Sequence, residues 1–314
     1  MASISVLATD LNVHTFQGMV RDGDGYVLPT LDGRLLRVNP DGSTKTLVQF
    51  CRGFECERFG VPFGIAASQG NFYLTVSSFG IGGRLIRVSS SASITEIADF
   101  TSLTPLGAPF GIIQSQFYPT AVLPSPLPLP SSLPAAPSAT PAPSSSPAEP
   151  AIALQPSPNA AIAADRQPVW IVTLSPNVLA SQGLLVRVTA EGAIAPIADL
   201  SEYGIPFALI EREGKYIVAQ EKGHLVEVSP AGNITPLVDF QAAKLGIPLG
   251  LTLFQNTLVV ALNAGPLVQV TSDAEMTVIT NLAQAGYAFP FAVLAQEDSL
   301  VVATTSGKLV RVVP

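Results

Sequence analysis

Residues 205–240, IPFALIEREGKYIVAQEKGHLVEVSPAGNITPLVDF, read as four short β-strands. The runs 207–210, 216–220, 225–228 and 234–240 are rich in Val, Ile and Leu. Pro206, Glu213-Gly214, Glu221-Lys222-Gly223 and Pro230-Ala231-Gly232 bound them. Turn residues at such short intervals exclude ordinary helices, and the apolar runs between them are strand material.

The same unit recurs outward in both directions. Residues 61–100 read VPFGIAASQGNFYLT…GRLIRV…ITEIADF, and residues 247–282 read IPLGLTLFQNTLVVA…PLVQV…MTVITNL. Residues 289–314 repeat the pattern and stop before a fourth strand. Residues 15–50 are a divergent copy, and residues 108–200 are a copy with an insertion. The units begin at 15, 61, 108, 205, 247 and 289, so the steps are 46, 47, 97, 42 and 42. Four strands per period of forty-odd residues is the signature of a β-propeller. Residues 3–11, SISVLATDL, match the missing fourth strand, so the expected fold is all-β, with six blades, the last closed by the N-terminal strand. The alternative is a frayed N-terminal strand beside an unclosed ring, which would expose a buried face.

Composition fits this architecture. Charged residues make up 12% of the chain and hydrophobic ones 47%, yet no run approaches the roughly 20 apolar residues of a membrane-spanning helix. Blades covered on both faces have strands that are apolar throughout rather than alternating. The net charge of −7 argues against a nucleic-acid backbone as partner. No basic N-terminal region of a signal peptide is visible, which by default places the chain in the cytoplasm.

Residues 117–167 hold the inserted segment, and residues 119–168 contain half of the 28 prolines. Such a Pro/Ala/Ser-rich stretch has little to bury and is expected to be disordered within the third blade of a single propeller domain. It is either a tolerated insertion or a docking segment for a partner. Cys51 and Cys56 are the only cysteines. Their spacing permits a small disulfide loop or two free thiols; close zinc-ligand pairing is absent.

Two rows repeat around the ring. Pro62, Pro109, Pro206, Pro248 and Pro290 each open a first strand, and the residue that follows is Phe63, Phe110, Phe207, Leu249 or Phe291, with Gln17 in the first unit. These should form a collar at one end of the central channel, followed by a small residue in every unit. The collar is either core or the floor of a ligand pocket; Gln17, Phe63, Phe110, Phe207 and Phe291, with Asn177 and Asn263 on the same face, are the candidate ligand-binding residues. In the second row, Arg37, Arg87, Arg187, Glu227 and Gln269 are each followed twelve residues later by Gln49, Asp99, Asp199, Asp239 and Asn281, with Asp10 matched to Arg311. Arg87–Asp99 and Arg187–Asp199 are expected cross-strand or diagonal pairs between the outer two strands of a blade, a rule that Glu227 with Asp239 breaks.

The run Gly-Val-Pro-Phe-Gly-Ile-Ala, residues 60–66, with Gly-Asn-Phe-Tyr-Leu-Thr and Gly-Arg-Leu-Ile-Arg-Val after it, resembles NHL-type propellers, above all the ScyD/ScyE branch. That resemblance covers everything outside the insertion and implies export from the cytoplasm. More distantly the chain is similar to the six-bladed senescence-marker/gluconolactonase hydrolases, which hold a divalent metal through a Glu-Gly-Pro motif. The matching position here is Gln17-Gly18-Met19, an amide in place of the carboxylate, so no metal or other cofactor is expected. Lyase-type propellers rely on His and Glu, and His224 beside Gly223 suggests no such role. The function expected is binding or scaffolding by a monomer, with an unidentified small molecule or protein as partner. The alternative is a lactonase-like hydrolase or a lyase acting at the collar face.

Overall fold

A computed structural model describes residues 2–11, 18–52, 55–56, 59–78, 82–104, 106–115 and 168–314. The inserted segment 117–167, Gln17 and His14 lie outside the described residues.

Six four-stranded antiparallel sheets make up the fold. Blade 1 comprises Val20–Asp22, Gly25–Pro29, Arg34–Val38 and Thr44–Gln49. Blade 2 comprises Val61–Ser68, Asn71–Ser78, Gly82–Val88 and Ile94–Asp99. Blade 3 comprises Ala108–Ser115, Val169–Ser175, Leu184–Val188 and Ile194–Asp199. Blade 4 comprises Pro206–Arg212, Lys215–Gln220, His224–Val228 and Ile234–Asp239. Blade 5 comprises Pro248–Phe254, Thr257–Leu262, Pro266–Val270 and Met276–Asn281. Blade 6 takes Pro290–Ala295, Leu300–Thr304 and Leu309–Val313 from the C-terminal end, and Ser3–Ala8 as its outer strand. Ser3 pairs with Val313 and Ser5 with Arg311, so the N-terminal strand does close the last blade.

The core is six seams and a hub. Each seam joins two neighbouring blades, because alternate residues of a strand point to opposite faces. In the second strand of blade 4, Ile217 and Ala219 pack with Leu251 and Val260 of blade 5. Tyr216 and Val218 pack with Ile171 and Leu185 of blade 3. Leu309 and Ala303 of blade 6 share a cluster with Tyr26 and Leu28 of blade 1, which completes the circle. At the seam of blades 2 and 3, Tyr73 and Trp170 stack with ring centroids 4.5 Å apart.

Two irregularities recur in the ladders. The inner strands of blades 2 to 6 slip register just after their proline, as at Pro62/Ile65 and Pro109/Ile112. The pairing of third and fourth strands slips in every blade, as at Leu85/Ile86 and Leu185/Val186. The observed register corrects the expected charge pairs. Arg87 lies opposite Thr95, and Asp99 lies opposite Arg84, which it meets at 3.8 Å. Arg187 lies opposite Ala195. Glu227 is instead compensated by Lys215 at 2.6 Å and Arg212 at 3.9 Å. Arg311 lies opposite Ser5 rather than Asp10.

The acidic row has a different job. Asp99 accepts from the N–H of Thr101, Asp199 from Ser201, Asp239 from Ala242, and Asn281 from Gln284. Each short polar side chain therefore caps the turn that leads to the next blade. The Thr101 side chain foremost, then its N–H and Arg84, hold the Asp99 carboxyl below its ordinary value of 3.8 against an opposing effect of burial. A lowered folded value means that this contribution is present above the unfolded value and is lost as pH falls through the folded one.

Candidate functional site: the collar and the axial cavity

The collar forms where the repeat places it. Phe110 and Phe207 are 5% and 7% exposed, Leu249 is buried with them, and Phe63 and Phe291 are half-buried at the edge of the same cluster. Phe63 meets Phe110 edge-to-face at 5.5 Å, and Phe110 meets Phe207 the same way at 5.9 Å. That geometry sets the positive ring edge against a negative face and fills space well.

Small residues behind the collar let the inner strands touch backbone to backbone. A Cβ on Gly64 would overlap the Phe110 carbonyl oxygen, and one on Gly250 would sit 2.5 Å from the Phe291 oxygen. At the seam of blades 2 and 3 the approach is bridged by a buried hydroxyl. Thr75 Oγ1 accepts from the Gly64 N–H at 2.7 Å and donates to the Phe110 carbonyl at 2.5 Å. Thr173 accepts from Gly111 in the same way at 2.7 Å. Sequence reading passed over both threonines, because in blades 4, 5 and 6 the position is Ala219, Ala261 or Ala303. Replacing Thr75 with the near-isosteric Val leaves the Gly64 N–H unpaired in a buried site. Urea denaturation of this variant should show a loss of about 1–3 kcal/mol; an unchanged midpoint would show that the bridge contributes nothing.

Just beneath the collar lies an axial cavity of about 210 Å³. Its wall is aliphatic, with Ile65, Ile112, Leu209, Leu251 and Val293 contributed by successive blades and Met19 by the first. The one hydroxyl in the wall among the described residues, Thr252 Oγ1, accepts from the Ala295 N–H at 3.1 Å.

Four polar side chains around the collar mouth are engaged with the backbone, whereas those of Ser175 and Gln220, buried at the ends of second strands, have no hydrogen-bond partner. Asn177 Oδ1 accepts from the N–H groups of Leu179 and Ala180, capping a short 3₁₀ turn at Val178–Ala180. Asn263 Oδ1 accepts from Ile247 at 2.8 Å, Glu221 Oε2 from Ile205 at 3.2 Å, and Thr305 Oγ1 from Phe289 at 3.1 Å. Each of these last three holds the backbone just ahead of a collar strand. His224 lies apart from the collar cluster, 3.5 Å from Asp239 and edge-to-face with Tyr203. Among the described residues, no three His, Cys, Asp or Glu side chains are grouped as a metal ligand set would be.

Two further features lie off the axis. Cys51 pairs with Cys56 across a two-stranded hairpin, Cys51–Arg52 with Glu55–Cys56, and Cys51 is buried and disulfide-bonded. A groove of about 430 Å³ opens between blades 1 and 2, lined by Arg37, Lys45, Phe72 and the turn Ser89–Ala92. In blades 1, 3 and 4 the matching turn carries Gly42, Gly192 or Gly232, each seated against a carbonyl of the preceding blade's outer strand. Ala92 has a Cβ where those glycines have none, so it cannot approach as closely.

No protein-family model and no curated sequence matches the chain. Solved structures do. The soluble aldose sugar dehydrogenase of Escherichia coli in its apo-form aligns with a TM-score of 0.62 at 12% identity over all of both chains. A catalytically inactive virginiamycin B lyase from Staphylococcus aureus with quinupristin aligns at 0.59 and 12%, again over all of both chains. A putative oxidoreductase (glucose dehydrogenase) from Thermus thermophilus aligns at 0.59 and 14% over the same extent. At such identities the likeness is one of fold. No helix among the described residues is long and apolar enough to cross a membrane.

Proposed function

We propose that the chain is a binding or scaffold propeller of the NHL type, related to the ScyD/ScyE branch, with its ligand taken at the collar face. The observation that carries this reading is the use of polar groups at that face: Glu221, Asn263 and Thr305 are each hydrogen-bonded to the backbone ahead of a collar strand. Groups held in this way position a surface; a general base or metal ligand keeps a lone pair directed at the reacting atoms. The aliphatic cavity behind the collar suits an apolar portion of the ligand. The Pro-rich insertion, within what we take to be a single propeller domain, is a candidate tether for a protein partner.

The rival reading is a lactonase-like hydrolase or a lyase, and its support is the likeness in fold to lyase and dehydrogenase propellers. Metal analysis and a lactone-hydrolysis assay on the purified protein separate the two. The binding reading expects ligands that raise the unfolding temperature saturably, an effect weakened by Phe291→Ala, with no turnover. A stoichiometric divalent metal together with lactone turnover that a chelator abolishes would establish the rival.

A further inference from the structure

The second strand of each blade ends at the collar face. In blade 4 it ends on Gln220, which comes opposite His224, one step beyond the pair Ala219–Leu225. Both side chains face blade 3, since alternate residues of a strand share a face. Gln220 continues the row of Tyr216 and Val218, and His224 that of Val226 and Val228, all packed with Ile171 and Leu185 of blade 3. Ser175 ends the second strand of blade 3 in line with Ile171, and so faces blade 4 in return. Three polar side chains thus point into the collar end of one seam.

Four of their atoms are buried without a hydrogen-bond partner in the protein: Gln220 Oε1 and Nε2, Ser175 Oγ and His224 Nδ1. Gln220 and Ser175 are wholly buried. Polar groups left unpaired in an interior destabilise it, and the fold has no need of them here. The residue paired with the proline of the first strand is Gln220 in blade 4, but Val76, Leu174 and Leu262 in blades 2, 3 and 5. In blade 6 it is Thr304, whose hydroxyl donates to the Lys308 carbonyl. Of these five blades only the fourth buries an unsatisfied amide there. Groups retained against their cost to stability mark a place where something binds.

We propose that the collar end of the seam between blades 3 and 4 binds a neutral amide group, as in a lactam or a terminal carboxamide. The proposal rests on the collar reading, the amide being the polar end of a ligand whose apolar part lies at the collar. The two carboxylates beside the site are engaged, Glu221 with the Ile205 N–H and Asp239 with that of Ala242, so an ionic partner has no free charge to meet. An amide carries a donor and an acceptor side by side, and pairs with the Gln220 carboxamide through two N–H···O bonds. Its oxygen keeps a second lone pair for the Ser175 hydroxyl. His224 turns Nε2 towards Asp239 at 3.5 Å, which leaves Nδ1 to accept the second N–H of a carboxamide. The way in is short. The His224 side chain is 28% exposed, and its cover is the half-buried Tyr203, edge-to-face with it at 5.5 Å.

Nuclear magnetic resonance on the full chain tests this, with δ-valerolactam as probe and cyclohexanone, which lacks the N–H, as comparison. The lactam should shift the side-chain amide signal of Gln220 saturably. Cyclohexanone should bind at least about tenfold more weakly, because it leaves Gln220 Oε1 unpaired. Gln220→Leu installs the residue of blades 3 and 5, and should abolish lactam binding without lowering the unfolding temperature. Ser175→Ala should weaken binding while the Gln220 signal remains to report it. No shift with the lactam, equal binding of the two probes, or lactam binding retained in Gln220→Leu would each overturn the proposal. So would a Gln220→Leu protein that unfolds at a lower temperature, for the amide would then be satisfied by a structural water. Lactam binding with no ligand found at the collar would keep this site and remove the collar reading; a collar ligand indifferent to Gln220→Leu would do the reverse.

Discussion

Phe110→Ala should destabilise the ring by about 3–5 kcal/mol, the range seen when a large aromatic is cut back in a packed interior. The ring of Phe110 is 5% exposed and stands between Phe63 and Phe207, touching both edge-to-face. Its removal empties the centre of the hub, and the inner strands on either side are held apart by backbone contacts that prevent them from closing in. Phe207→Ala should cost nearly as much. Phe63 and Phe291 lie at the half-exposed edge of the cluster, so their truncation should cost less, about 1–3 kcal/mol by the area they cover. Denaturant unfolding of the four variants gives this order directly. Equal small losses at all four positions would mean that the collar is not packed and that an open pocket stands in its place.

Removal of residues 1–11 should have an effect at least as large. The strand Ser3–Ala8 is the outer partner of Leu309–Val313, and Ala8 and Leu11 belong to the seam between blades 6 and 1. Without them Leu309, Val310 and Val312, now wholly buried, lose one flank. At about 1.5–3 kcal/mol for each large aliphatic side chain returned to water, the loss is on the order of 5 kcal/mol. The unfolding temperature should fall and recover when a peptide of residues 2–11 is added in excess. A truncated protein that unfolds at the wild-type temperature would show that the clasp is dispensable.

Why the architecture was legible and the register was not follows from particular residues. Turn residues between apolar runs mark where each strand ends, so 205–240 yields its four strands within about two residues of their bounds. The period and the unpaired first strand then dictate a closed ring. Pairing is another matter. Arg87 and Asp99 recur at a constant spacing, but the turn between the strands sets Arg87 against Thr95, and the one-residue slip at Leu85/Ile86 then brings Asp99 opposite Arg84. Nothing local in the sequence announces that slip. The collar was legible for a similar reason to the strands, since Phe follows Pro at the same place in successive units. What the residues there do was not. Asn177 and Asn263 look available in the sequence, and only the fold brings backbone N–H groups to their Oδ1 atoms. Thr75 acquires its role from Phe110 in the neighbouring blade, 35 residues away along the chain.

The clasp also sets the order of events during synthesis. Ser5 is made long before its partner Arg311. Four blades are built from strands close in sequence and form through short-range contacts; the first two strands of blade 3 are parted by residues 116–168, and blade 6 waits on a loop of some three hundred residues. Closure over such a separation is slow compared with local pairing. The strand Ser3–Ala8 is thus an unpaired, uncharged segment until Leu309–Val313 has been made. Amide hydrogens of blade 6 should be the last to gain protection in a pulse-labelled refolding experiment. Those of blade 4, assembled from thirty-odd consecutive residues, should be among the first.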